Sequence, residues 1–167
     1  GTLVLLSYER SLFTFDGTSF SDYKFETKQI PVYNTDILIE EDGTLVLSGE
    51  EGLLFIRDNM VDTVVTAGKG YWDRYVNIIY KDKEGIYWLG TENGIVEYKN
   101  GKQTRYTKKQ GVEGASVYEI KEDELGNLWF GTNKGITVFT KLRNPENPYL
   151  IRTFETDKNY LTETIFI

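Results

Sequence analysis

An all-β fold of the propeller class, with about four four-stranded blades, is what this sequence predicts. Three observations carry the prediction. The pentapeptide Gly1-Thr2-Leu3-Val4-Leu5 returns as Gly43-Thr44-Leu45-Val46-Leu47, 42 residues later. A further 42 residues on stands Gly85-Ile86-Tyr87-Trp88-Leu89-Gly90-Thr91, and 41 beyond that Gly126-Asn127-Leu128-Trp129-Phe130-Gly131-Thr132. A period of about 40–45 residues made of short strands is the mark of propeller blades. The second observation is composition: 12 Tyr, 9 Phe and runs rich in Val, Ile and Thr favour strands. The third is that no stretch of about ten residues sustains apolar spacing at i, i+3, i+4 and i+7.

Taken in order, the elements follow from the repeat. The first copy is the most worn: Arg10 stands where the others have glycine, and Ser11-Leu12-Phe13-Thr14-Phe15 follows it. The later copies read Gly52-Leu53-Leu54-Phe55-Ile56, Gly94-Ile95-Val96-Glu97-Tyr98 and Gly135-Ile136-Thr137-Val138-Phe139. These spacings predict a partial blade over 1–29, whole blades over 30–70, 71–112 and 113–158, and the first strand of a next blade over 159–167. In the best copy, Val117–Lys121 leads into Glu122-Asp123-Glu124-Leu125-Gly126-Asn127, a hairpin turn by its Asp, Asn and Gly. Leu128–Thr132 is the second strand, Asn133-Lys134-Gly135 a tight turn and Ile136–Lys141 the third strand. Two prolines keep Asn144–Pro148 out of the ladder, and Tyr149–Glu155 is the more polar outer strand.

Gly90 and Gly131 fall inside strands, where glycine normally costs stability, so something must approach those faces closely. In a propeller that is the neighbouring blade. Trp88 and Trp129 then fill the wedge between blades, and burial at equivalent positions is expected of both. Thr91 and Thr132 complete the same motif. Asp82, Glu84, Asp123 and Glu124 sit in acidic turns, with one or two carboxylates each, enough for turn chemistry alone. No metal site and no cofactor are expected.

The 167 residues suffice for one substantial core, and 40 % hydrophobic with 27 % charged residues describes a globular chain. A net charge of −7, with Lys108-Lys109 as the only basic cluster, argues against a nucleic-acid partner. There is no cysteine, which excludes disulfides and thiolate metal sites, and no histidine, which removes the commonest general base and metal ligand. No apolar run approaches the roughly 20 residues of a membrane span.

The pattern Asp-x-x-Gly-[Asn/Ile]-x-Trp-[Phe/Leu]-Gly-Thr-x-x-Gly-[Ile/Leu] resembles the two-component regulator propeller repeat. Asp82–Thr91 and Asp123–Thr132 match it closely, while Asp42–Gly49 is degraded, with Val46 in place of Trp and Ser48-Gly49 in place of Gly-Thr. The resemblance implies the periplasmic sensor region of a hybrid two-component system of the kind found in gut Bacteroides-type bacteria. It implies a receptor for a small ligand, often an oligosaccharide, whose parent passes the signal to a cytoplasmic kinase. The segment itself is then non-catalytic.

Ligands of propellers favour the face where loops enter the innermost strands. Those loops are Ile30–Thr35, Lys69–Tyr75, Gln110–Ser116 and Lys158–Thr162. Tyr71, Trp72, Asp73, Arg74 and Tyr75 concentrate three aromatics with an acid and a base, a set that suits the apolar faces and polar edges of a sugar. The plainer reading, which comes first because few residues of any chain line a ligand pocket, packs Tyr71, Trp72 and Tyr75 on the blade and pairs Asp73 with Arg74 at the surface. Glu92, Asn93 and Glu113 flank the same face as polar contacts. Two other functions compete with the sensor: a protein-interaction scaffold, and a propeller lyase or glycosidase, since 26 Asp and Glu leave acid/base pairs open by count. The chain starts mid-repeat, which reads as an excised piece. Its two ends are complementary, so the terminal strand is expected either to close a four-bladed ring or, as the favoured alternative, to complete a second copy's first blade in an eight-bladed homodimer.

Overall fold

The computed structural model describes residues 3–7, 12–24, 34–50, 52–65, 75–157 and 160–166. The regular elements among them are sixteen strands and one 3-10 turn at Lys108–Gln110. Strands β1 (Leu3–Leu6), β2 (Leu12–Phe15) and β3 (Phe20–Asp22) form the first sheet. The second holds β4 (Asn34–Ile39), β5 (Leu45–Gly49), β6 (Gly52–Arg57) and β7 (Met60–Val65). The third holds β8 (Val76–Lys81), β9 (Tyr87–Thr91), β10 (Gly94–Lys99) and β11 (Lys102–Tyr106). The fourth holds β12 (Val117–Glu122), β13 (Leu128–Thr132), β14 (Gly135–Lys141), β15 (Tyr149–Asp157) and β16 (Tyr160–Phe166). Every pairing is antiparallel and between consecutive strands, so each sheet is a meander, and the all-β expectation holds.

Each hairpin is written in its turn residues. Asp82 Oδ1 accepts from the backbone N–H groups of Glu84 and Ile86, both at 2.9 Å, and Oδ2 accepts from the Trp88 indole at 3.0 Å. Asp123 repeats this with Leu125, Asn127 and, at 2.9 Å, Trp129. One carboxylate thus closes the turn and aims the tryptophan six residues on. In the next hairpin Thr91 Oγ1 donates to the Gly94 carbonyl at 2.9 Å and accepts from Asn93 N–H at 3.0 Å. Gly94 has φ +98°, and a Cβ there would lie 2.4 Å from the Tyr106 carbonyl oxygen, so only glycine fits.

Alternation of side chains gives each sheet two faces, here called near and far in chain order. Near residues of the second sheet, Leu45, Leu47, Leu54 and Ile56, bury against Leu12, Val4 and Leu6 of the first. Far residues Val46, Leu53 and Val65 bury against Val76, Ile79, Leu89 and Val96 of the third. Far residues Trp88, Ile95 and Tyr106 bury against Ile120, Leu128, Phe130 and Phe139 of the fourth. The inner strands β4, β8 and β12 are neighbours across these junctions. Polar hooks reinforce them: Asp36 Oδ2 accepts from Ile79 N–H at 3.0 Å, and Asn77 Nδ2 donates to the Val117 carbonyl at 3.2 Å.

Gly90 behaves as its place in a strand predicts. A Cβ built on it would lie 2.6 Å from Ile78 Cγ2 and 2.8 Å from Val117 Cγ1, the latter in the next sheet. Two expectations need correction. Trp88 is fully buried, but Trp129 is 40 % exposed, and a Cβ on Gly131 would meet only Glu119 of its own sheet, at 3.2 Å. The wedge that buries Trp88 is built by the fourth sheet, and among the described residues no sheet covers Trp129. Second, residues 160–166 are not the inner strand of a further blade. They pair with β15 from Ile151↔Phe166 to Asp157↔Tyr160, as a fifth strand at the outer edge. The edge of β15 presents unpaired backbone groups, and a hairpin satisfies them at little loop-closure cost.

The Asp123 turn supplies a pH test. Hydrogen bonds from the Trp129 indole, the Asn127 amide and the backbone hold its carboxyl at about 2, below the usual 3.8. A depressed carboxyl stabilises the fold fully above its unfolded value and loses that contribution as pH falls through about 2. A carbon-detected NMR titration is expected to show a midpoint near 2 in the native chain and an upward move in Trp129→Phe, which lacks the indole donor. A native midpoint at the ordinary value would sink the assignment.

Candidate functional site

The loop-entry face gathers part of the expected set. Tyr71, Trp72, Asp73 and Arg74 lie outside the described residues, as do residues 30–33 and 158–159 of the other entry loops. Asn34 and Thr35 belong to β4, and residues 160–162 to β16. Tyr75 leads into β8, and its carbonyl accepts from Glu92 N–H at 3.2 Å. Glu92 stands at the centre of a junction staple: Asn77 Nδ2 donates to Oε1 at 2.9 Å and Ser116 Oγ to Oε2 at 2.6 Å. Both carboxylate oxygens are engaged between the third and fourth sheets. The Asn93 carbonyl accepts from Arg105 Nη1 at 3.2 Å. Glu113 pairs with Lys108 at 3.1 Å, and its carbonyl accepts from Thr132 Oγ1 at 3.2 Å. Tyr75 and Glu92 are thus brought together, while Glu113 is bonded to Lys108 and Thr132 and not to them. Of these, Glu92 ties the third sheet to the fourth through Ser116.

Two recesses among the described residues lie elsewhere. One of about 670 Å³ opens at the opposite end of the second and third sheets. There Lys81 and the Tyr87 hydroxyl both bond Glu40, and Arg57 bonds Thr44 at 3.0 Å. Within this recess Lys81 pairs with Glu40, while Arg57 and Lys83 pair with Asp62 and Glu122 outside its lining. The other, about 720 Å³, is a cleft between the outer parts of the third and fourth sheets. Glu97, Lys99, Tyr106, Lys109, Gln110 and Tyr149 line it, with the Pro145–Pro148 loop as its rim.

Glu97 distinguishes this cleft. Its side chain points to the far face of β10, where the second sheet has Phe55 and the fourth Val138. Only 9 % of the residue is exposed. Its Oε2 accepts from the Tyr106 hydroxyl at 2.8 Å, and Oε1 has no protein partner among the described residues. The carboxylate lines the cleft, so this oxygen can accept a hydrogen bond from a group bound there. Burial first, then the Glu97 bond and charge, raise the Tyr106 phenol above its ordinary range; burial and the Glu97 charge do the same to Tyr149. Both phenols therefore stay protonated and able to donate. The rings stand 5.9 Å apart at 83°, giving apolar wall beside the carboxylate. Sequence reading passed over Glu97, although an acid aligned with Phe55 and Val138 across the repeats was the available signal.

The motif geometry and the sheet order agree with one repeat type, and comparison confirms it. Residues 70–93 and 111–134 match the two-component regulator propeller family. Among solved structures, the extracellular domain of the hybrid two-component system BT4673 from B. thetaiotaomicron superposes with a TM-score of 0.71 at 17 % identity, over 94 % of this chain and 21 % of that one. The extracellular domain of the hybrid system BT3049 from the same organism gives 0.65 at 20 % identity, over 85 % of this chain and 24 % of that one. At these identities the likeness shows the fold, a β-propeller architecture. The chain spans about a quarter or less of the length of these structures. No curated protein matches it.

Proposed function

We propose that the chain is part of the extracytoplasmic, ligand-sensing propeller of a hybrid two-component system, and that its ligand is glycan-derived. The repeat type and the extracellular placement of the similar domains support the sensor role. The observation that carries the ligand site is Glu97, with its unengaged oxygen facing a cleft of mixed polar and aromatic lining. A sugar presents apolar C–H faces to the Tyr106 and Tyr149 rings and hydroxyl donors to the carboxylate. Lys99, Lys109 and Gln110 at the mouth supply donors to ring and glycosidic oxygens. Binding there would clamp the third sheet to the fourth, because the lining comes from both. That is a direct way for occupancy to alter the geometry of a propeller without chemistry.

Thermal-shift and calorimetric titration against neutral and acidic oligosaccharides tests the reading. At least one class is expected to raise the melting temperature, since a ligand at about 100 times its Kd stabilises by about 2.7 kcal/mol. The shift should vanish in Glu97→Gln, which keeps the side-chain shape. A shift retained in that variant moves the site away from the cleft. Release of smaller sugars during incubation would replace the sensor with an enzyme.

A further inference from the structure

Two tyrosines of the third sheet stand where the second and fourth sheets bury apolar residues, and here they remain partly open. Tyr87 aligns with Leu45 and Leu128 on the second strand, and its cross-strand partner Tyr98 with Ile56 and Phe139 on the third. Leu45, Leu128, Ile56 and Phe139 are buried, whereas Tyr87 and Tyr98 are half-buried. Phe55 of the second sheet meets Tyr87 edge-on at 5.5 Å and 89°, and the Tyr87 and Tyr98 rings stand 6.2 Å apart at 41°. The three rings line a groove of about 400 Å³, with Arg57, Asp62 and Asn100 at its rim. It shares Phe55, Arg57 and Tyr87 with the recess of about 670 Å³, so the two adjoin along the second junction.

We propose that this groove is a second ligand site, separate from the Glu97 cleft, and that it takes a neutral sugar. Polar groups at its edge are unengaged. The Tyr98 hydroxyl and the Asn100 side-chain amide have no protein partner among the described residues. Arg57 uses Nε on Thr44 at 3.0 Å and Nη1 on Asp62 at 3.1 Å, which leaves N–H donors of its guanidinium open. Rings on the walls with donors and acceptors at the rim complement a pyranose, which has apolar C–H faces and a girdle of hydroxyls. Charge decides among sugars. The adjoining recesses are lined by five carboxylates, Glu40, Glu41, Asp42, Asp62 and Asp82, against the three cations Arg57, Lys81 and Lys83. That surplus repels sugars bearing carboxylate or sulfate. A cationic ligand is opposed by Lys81, whose Nζ already stands 5.2 Å from the Tyr87 ring centroid, where a cation would sit. Nothing in this site uses Glu97, so it stands or falls apart from the reading of that cleft.

Amide NMR on the isotope-labelled chain tests this. Hexasaccharides of glucose, mannose, galactose and xylose are the neutral probes, and hexagalacturonate is the acidic one. Each is titrated to about 10 mM, tenfold above a Kd of about 1 mM. At least one neutral probe is expected to move the backbone amides of Arg57, Asn100 and Gly101, and to move them equally in Glu97→Gln. Hexagalacturonate is expected to leave them in place. Tyr98→Ala should weaken the response by about tenfold, and Tyr98→Phe, which keeps the ring, by about threefold. Circular dichroism checks folding; where Tyr98→Ala does not fold, Tyr98→Phe alone decides. The second site is overturned if no neutral probe moves these amides, if hexagalacturonate moves them as far, or if the response needs Glu97. An undiminished response in the folded Tyr98 variants overturns it equally. Shifts confined to Lys99, Gln110 and Tyr149 would support the Glu97 cleft and overturn this site, whereas shifts at Asn100 with none there would do the reverse.

Discussion

Replacing Trp88 with alanine is expected to destabilise the chain by about 3–5 kcal/mol, while the same change at Trp129 costs about 1 kcal/mol. The two tryptophans share a motif, a strand position and an aspartate partner, so only their surroundings differ. Trp88 has no exposed surface and touches Phe130, Phe139 and Tyr149 at centroid distances of 5.8, 5.8 and 5.5 Å. Its removal leaves a cavity lined by three rings on the fourth sheet, which cannot collapse without breaking the third junction. Against a typical total of about 5–15 kcal/mol, that loss takes much of the stability of the chain. Trp129 gives up one hydrogen bond to Asp123 and a partly wetted ring. Urea denaturation of both variants checks the contrast. Equal losses would mean that the Trp129 face is covered within a single chain.

That contrast marks where sequence reading succeeds and where it stops. Everything local to one repeat was legible: β13 runs over Leu128–Thr132 as read, the Asp82 and Asp123 turns use their own carboxylates, and Thr91 closes its hairpin. The reason is that these contacts span only a few residues and recur at fixed offsets. Contacts between repeats depend on what stands next door. Trp129 carries the same motif as Trp88, yet its burial is set by a neighbour the motif does not encode. Glu92 looked like a free polar contact because Asn77 and Ser116, its partners, lie 15 and 24 residues away. Glu97 was overlooked because an acid in an exposed-looking strand is ordinary, and only pairing with Tyr106 in a cleft makes it unusual. The β16 hairpin was misplaced because its alternation suits an inner or an outer strand equally, and pairing to β15 decided between them.

Gly90→Ala is the second large effect, expected to cost about 1–3 kcal/mol, with Gly90→Val at or above the upper end. The added methyl would stand 2.6 Å from Ile78 Cγ2 and 2.8 Å from Val117 Cγ1, far inside van der Waals contact. Val117 cannot retreat by a change of rotamer: it is fully buried, its branched side chain is stiff at χ1, and its Cβ itself would lie 3.1 Å from the methyl. Relief therefore requires β12 to move off β8, which loosens the Asn77 hook to the Val117 carbonyl and the Ser116 bond to Glu92. At Gly131 the same methyl meets only Glu119, whose Cβ at 3.2 Å stands on the open face of β12, so a shift of a few tenths of an ångström suffices there without parting β12 from β8. Gly131→Ala is therefore expected to lie within about 0.5 kcal/mol of the native chain. Pairing Gly90→Ala with Val117→Ala in a double-mutant cycle identifies the clash, because the second change removes one of its two atoms and should recover part of the loss. Additive effects in that cycle would show that Gly90 is needed for its backbone, and that the close approach of the neighbouring sheet is not what excludes a side chain there.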